Sequence, residues 1–157
     1  MKNKKVLSYV FAFVIPCILM ILLYIQGGIY PFGSKSLLTA DLAGQYIAFF
    51  NALKNILDGS TNLFYSFSKT LGGNMYGLLT YYLMSPFNLL LIFFSKSSIP
   101  EFIFLINILK IGLSGLTSYI YFDKTFNDKR FTSIVFSTVY SLMAYNIVYS
   151  QNIMWLD

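Results

Sequence analysis

Histidine is absent from the sequence, which excludes an imidazole base, a Ser-His-Asp triad and a histidine-ligated metal. Any chemistry falls to carboxylates, lysine, tyrosine and backbone. Among the six acids, Asp41 lies in Leu38-Thr39-Ala40-Asp41-Leu42-Ala43-Gly44-Gln45-Tyr46, and Asp157 closes Ser150-Gln151-Asn152-Ile153-Met154-Trp155-Leu156-Asp157. A carboxylate held against a hydroxyl can take its proton as a general base. Asp41 precedes a stretch of helical periodicity, so it can equally be a helix cap whose oxygen accepts from the first free N–H groups. Asp157 reads as a second acid of the same site or as a solvated loop residue, with Trp155 as an interfacial anchor. The third candidate is Lys110, within Phe104-Leu105-Ile106-Asn107-Ile108-Leu109-Lys110-Ile111-Gly112-Leu113, where a charge at a span centre costs about 2.5–3.5 kcal/mol. It either lines a polar cavity and meets an anionic phosphate, or snorkels outward past Asn107. Ser114 and Ser118, with Gly112 and Gly115, form a small-residue face suited to close helix packing.

These residues must be positioned by membrane helices. The 157-residue chain is 57% hydrophobic and 11% charged, with a mean hydropathy of +0.65, whereas soluble domains carry about a quarter charged residues. A soluble globular protein is excluded, and the apolar surface faces lipid. The net charge of +5 sits beside apolar runs, where it sets topology and does not imply nucleic-acid binding. Cys17 is the one cysteine, so no intramolecular disulfide can form. It reads as lipid-facing or core filler, and Val14-Ile15-Pro16 before it lack the small residues of a lipoprotein processing site.

Lys2, Lys4 and Lys5 precede an uncharged stretch long enough to cross a hydrocarbon core of about 30 Å. Residues 6–30 are the expected first span. No A-x-A-like site follows, which argues against a cleaved signal peptide. The basic start keeps the N-terminus cytoplasmic. Three further apolar stretches follow, at 78–94, 99–122 and 131–150. If all cross, the basic connector 123–130 falls outside, against the positive-inside tendency. The stretch 78–94 is short and holds Pro86 and Asn88, so three spans are favoured over four. The expected order is a span at 6–30, an outer loop at 31–98, a span at 99–122, a cytoplasmic loop at 123–130, a span at 131–150 and the start of a second outer loop at 151–157. Asp41 and Asp157 then share the outer side.

Within the long loop, Leu42, Tyr46, Phe49, Phe50, Leu53, Ile56 and Leu57 recur at helical spacing, with Gln45, Asn51, Lys54, Asn55 and Asp58 on the other face. An amphipathic helix on the membrane is expected there. Phe49, Phe50 and Leu53 should face lipid or the spans, and Lys54 should face water. Thr39 or Asp41 should start the helix and Gly59 should end it.

These stretches together resemble the N-terminal part of the YfhO family of bacterial polytopic membrane proteins, which group with the GT-C type glycosyltransferases. The carriers are Thr39-Ala40-Asp41-Leu42 through Gln45-Tyr46, then Leu71-Gly72-Gly73-Asn74, Tyr81-Tyr82-Leu83-Met84-Ser85-Pro86-Phe87-Asn88, and the closing Asn152-Ile153-Met154-Trp155-Leu156-Asp157. The resemblance implies an all-α integral membrane protein of the bacterial cell membrane, with about three transmembrane helices and juxtamembrane amphipathic helices in a long first outer loop. It further implies transfer of a sugar from a polyprenyl-phosphate carrier to a cell-envelope polymer such as a teichoic acid. Asp41 would match the first-loop catalytic acid, a general base. Asp157 would match the acid of the second outer loop, orienting substrate or helping to hold a divalent cation. Lys110, by its depth, would offset the carrier phosphate. Proteins of this family are several times longer, so the expectation is a portion of a longer enzyme, inactive alone. The alternative is a small non-enzymatic polytopic protein, such as an assembly partner or transporter component, or an inactive fragment.

The topology is testable by thiol labelling. With Cys17 replaced by Ser, a single cysteine at Ser60 should react with an impermeant reagent on intact cells, and one at Asn127 should not. The reverse pattern would overturn the arrangement.

Overall fold

The structure, a computed structural model, describes residues 2–69, 71–126 and 130–157. Most of the basic connector between the second and third spans, at 127–129, lies outside the described residues, as do the side chains of Lys2, Lys4 and Arg130. The described elements are helical apart from one short hairpin. They group into two compact units, Met1–Leu37 with Asn107–Ser150 and Leu156, and Leu38–Ile106 with Gln151–Trp155 and Asp157.

The first unit holds α1 (Lys2–Gly27), the larger part of α4 (Ile99–Phe126), α5 (Arg130–Ser141) and α6 (Ala144–Val148). Three helical stretches among the described residues are long and apolar enough to cross a membrane: Lys5–Gly27, Lys96–Phe126 and Phe131–Gln151. The chain is therefore an all-α integral membrane protein. Pro16 sits inside α1, where its missing N–H leaves the carbonyl four residues earlier, on Ala12, without a helical donor. Gly115 of α4 packs over that place. A Cβ on Gly115 would lie 2.5 Å from the Ala12 oxygen and 2.7 Å from Pro16 Cγ, and one on Gly112 would lie 2.5 Å from Cys17 Sγ. The small-residue face is thus a packing seam. Cys17 belongs to it, buried and donating to the Ile108 carbonyl at 3.5 Å. At the end of the seam Tyr9 meets Tyr119 edge-on at 5.5 Å, and Lys5 pairs with Asp123 at 3.2 Å. The start of α1 and the end of α4 therefore share one side. A fourth crossing between them would separate these two residues by a membrane.

The expected second span ends at Phe122, but α4 continues to Phe126, so the connector is shorter than 123–130. The third spanning stretch is broken after Ser141. Ser137, Thr138 and Ser141 turn their hydroxyls back onto carbonyls three or four residues earlier, which loosens a helix. Asn146 Nδ2 donates to the Ser141 carbonyl at 3.0 Å, satisfying the end that the break leaves open.

The second unit begins with a π-helical turn, Leu42–Tyr46, running into α2 (Ile47–Leu57). Gly59 ends α2 as expected, at φ +72°. Its N–H bonds the Ile56 carbonyl at 3.0 Å and the Ser60 N–H bonds that of Asn55 at 2.8 Å, the paired closure of a left-handed helix end. An antiparallel hairpin of β1 (Tyr65–Ser66) and β2 (Gly73–Asn74) follows, and Asn74 caps α3 (Met75–Leu78) through Gly77 N–H at 3.1 Å. A second π-helical turn, Leu79–Leu83, and a 3-10 segment, Pro86–Phe93, complete the unit before α4 starts.

The stretch expected to be the weakest span is this last pair, with Met75–Leu83 and Pro86–Phe93 bent by 104°. Arms of this length, folded back so far, reach roughly 20 Å end to end at helical rises of about 1.5–2 Å per residue, short of a core of about 30 Å. Asn88 holds the bend, donating to the Leu83 carbonyl at 3.1 Å.

Phe50 and Leu53 are buried as expected, but under protein, with Phe50 edge-on to Phe102 at 5.2 Å. Lys54 departs from expectation. It is 9% exposed, paired with Asp58 at 2.9 Å and donating to the Ile92 carbonyl at 3.2 Å. Its stem lies along apolar surface, and its ammonium serves a carbonyl that the end of the 3-10 segment leaves without a helical partner.

The seam predicts that Gly115→Val, which adds bulk where a Cβ already clashes with backbone, costs about 1–3 kcal/mol of stability in denaturant titration of the purified protein. Gly44→Ala, with open space around it, should be neutral or stabilising by up to about 1 kcal/mol.

Candidate functional site

Ala40 carries φ +45°, a left-handed conformation that costs a residue with a Cβ about 1–2 kcal/mol. The next residue, Asp41, is already helical at φ −65°, ψ −28°, and its side chain makes no capping hydrogen bond. A cap needs an extended backbone to turn its oxygen onto the following N–H groups, so the capping reading of Asp41 fails on geometry. The turn is closed by backbone instead, with Leu42 N–H on the Thr39 carbonyl at 3.0 Å and Gly44 N–H on that of Ala40 at 3.0 Å. Asp41 is left half-buried, and no side chain among the described residues hydrogen-bonds or ion-pairs with it.

The neighbour of Asp41 is Tyr46, fully buried at 0% exposure. Burial pushes its phenol up to about 12, the charges of Tyr82, Asp41 and Tyr81 add to that, and the Met154 backbone N–H opposes it. The Tyr46 ring stands edge-on to Tyr82 at 5.8 Å, and Tyr82 meets Tyr81 at 4.7 Å. Tyr46 ends one π-helical turn and Tyr81 and Tyr82 lie in the other. Such turns are rare, well under 1% of residues, and concentrate at functional sites. Widening the helix by one residue per turn rotates the following side chains, which is how the two segments present tyrosines to each other.

Beside this aromatic wall is a cleft of about 280 Å³ lined by Tyr81, Tyr82, Met84, Ser85, Pro86, Met154 and Asp157. Asp157 Oδ1 accepts a hydrogen bond from Ser85 Oγ at 2.7 Å. The second unit therefore contains both candidate acids. Asp157 lines the cleft, and Asp41 is near enough to Tyr46 for its charge to act on the phenol. Among the described residues there is no group of three His, Cys, Asp or Glu that could hold a metal ion.

Lys110 belongs to the other unit. It is 4% exposed and lines, with Ile111, Ser114, Asn146 and Leu156, a cavity of about 30 Å³. That is room for a water or two, not for a phosphate. Lys110 is thus buried beside a small cavity and does not snorkel outward in this structure.

Tyr46, Tyr81, Tyr82 and Ser85 were assigned no role from the sequence. Their signal was the Tyr81-Tyr82 pair ahead of Ser85-Pro86, legible as a turn but not as a wall facing residue 157.

Three spanning helices and a helical unit between the first and second of them define a polytopic integral membrane protein. A family model described as "Bacterial membrane protein YfhO" matches residues 12–157, and the chain belongs to that family. No curated protein and no solved structure matches it.

The raised phenol gives a pH test. An acid that keeps its proton longer when folded contributes stability that is complete below its unfolded value and lost as pH rises through its folded one. For Tyr46 the window runs from 10.0 to about 12. Tyr46→Phe should lose stability less steeply than the parent between those limits in thermal unfolding. Equal slopes would remove the burial of that hydroxyl from the account.

Proposed function

We propose that this segment carries the outer-face catalytic acid of a membrane glycosyltransferase, which moves a sugar from a polyprenyl-phosphate carrier to a cell-envelope polymer of the teichoic-acid type. One observation carries the reading: Asp41 neither caps a helix nor pairs with another side chain, and a strained residue sets it beside an aromatic wall whose cleft holds a second acid. Strain that local structure does not need is more often kept where a side chain must be aimed.

In the proposed reaction an acceptor hydroxyl oxygen attacks the anomeric carbon. Its proton passes to the Asp41 carboxylate. The bond from the anomeric carbon to the carrier phosphate oxygen breaks, and the phosphate leaves with the electron pair. Asp157, oriented by Ser85, positions the sugar. Lys110 offsets the phosphate charge only in a state with a wider cavity than the one described. A divalent cation would neutralise the leaving phosphate if further ligands join Asp157. The N-terminus is assigned to the cytoplasm, which puts both acids outside, where envelope polymers are found.

The test is Asp41→Asn introduced into the gene in its native context. Asn keeps the shape and removes the base. Membrane levels should stay normal, with glycosylation of the envelope polymer falling by about 10²–10⁴-fold. Near-normal glycosylation at normal levels would end the assignment and favour a non-enzymatic role, such as an assembly partner.

A further inference from the structure

Tyr81 is 67% exposed, yet its position is well defined. Tyr82 supports it at 4.7 Å and an interplanar angle of 79°, and Tyr82 is itself packed on Phe49 at 4.8 Å and Tyr46 at 5.8 Å. The result is an open aromatic surface on a rigid base. Across the same cleft are the Asp157 carboxylate and the Ser85 hydroxyl, already bonded to each other. A carboxylate has about four acceptor positions, and a hydroxyl that donates once can still accept, so the pair retains capacity for ligand O–H groups. At about 280 Å³ the cleft lies just below the range of about 300–1,000 Å³ for drug-sized ligands. One small ring fits.

A flat ligand with a C–H face and a hydroxyl edge matches this wall. The ring face of Tyr81 is negative and attracts polarised C–H groups, while Asp157 and Ser85 take the hydroxyls. We infer that the cleft is a single-pyranose subsite, with Tyr81 as its stacking platform and Ser85 as the residue that positions Asp157. The inference rests on the glycosyl-transfer reading and deepens it, since it assigns the sugar ring to this cleft. A ring face beside a carboxylate also attracts an organic cation, so a cation probe belongs in the test. An acyl chain would place hydrocarbon against a carboxylate.

Saturation-transfer NMR on the chain in lipid nanodiscs tests this directly. The probes are methyl α-D-glucopyranoside, methyl α-D-galactopyranoside and methyl N-acetyl-α-D-glucosaminide, with tetramethylammonium chloride in parallel. At least one pyranoside should receive saturation at its C–H face, competitively and saturably. Tyr81→Ala should weaken that binding by roughly five- to tenfold, and Tyr81→Phe, which keeps the ring, should retain it. Ser85→Ala and Asp157→Asn should weaken it while the C–H contacts persist. Absence of transfer to every pyranoside overturns the subsite, as does binding indifferent to Tyr81→Ala. Tyr81-dependent binding of tetramethylammonium alone would replace it with a cation site. The two readings fail separately when glycosylation by Asp41→Asn is set beside pyranoside binding by the parent chain. Lost glycosylation in that variant without any pyranoside binding sinks the subsite alone, and Tyr81-dependent binding with normal glycosylation sinks the catalytic base alone.

Discussion

A carbonyl or N–H carried into hydrocarbon has no water to turn to, so it must find its partner within the protein. The spanning helices of this chain are organised around the places where that supply fails. Pro16 removes a donor from the middle of α1, and the bare Cα of Gly115 lets α4 close over the Ala12 carbonyl left behind. The third spanning stretch, loosened by hydroxyls that bond their own helix, breaks after Ser141 and is repaired by the Asn146 amide. At the break a polar side chain inside an apolar run answers a specific carbonyl, and at Gly115 the lack of a side chain lets a neighbouring helix pack over one.

The second unit follows the same rule with different means. Its bent pair would leave the Leu83 and Ile92 carbonyls open, and Asn88 and Lys54 supply the donors. Because these two residues hold the bend, α2 can lay its apolar face on protein rather than on lipid. Phe50 reaches Phe102, and Tyr46 reaches Tyr82. The candidate site is a by-product of this packing. Two π-helical turns rotate tyrosines into one wall, and the turn closed by backbone at Thr39 and Ala40 leaves the Asp41 carboxylate without a structural task.

Residues that look alike in the sequence separate here by what surrounds them. Lys5, Lys54 and Lys110 are all lysines beside apolar runs. Lys5, at the start of α1, pairs with Asp123 near the end of α4, Lys54 serves a carbonyl of the bent pair, and Lys110 of α4 lines a cavity of water-molecule size. Expecting Lys54 in water failed because helical periodicity knows only one neighbour, the membrane surface, and not the 3-10 segment that packs against α2. Similarly, reading Asp41 as a cap followed from residue type and spacing, whereas capping depends on a backbone angle that spacing does not encode.

Composition and periodicity alone determined the membrane class, the three apolar spans, the amphipathic stretch ending at Gly59 and the exclusion of histidine chemistry, because each depends on residue counts or on contacts within a few residues along the chain. The order of motifs from Thr39 to Asp157 was enough to suggest the family. Only the tertiary structure decided that the stretch 78–94 is sharply bent, that Asp41 does not cap a helix, and that Tyr81, Tyr82 and Ser85 line one cleft with Asp157. The last of these outcomes joins Ser85 and Asp157, 72 positions apart. All three turn on bend angles and helix rotation, which packing sets and which no local pattern carries.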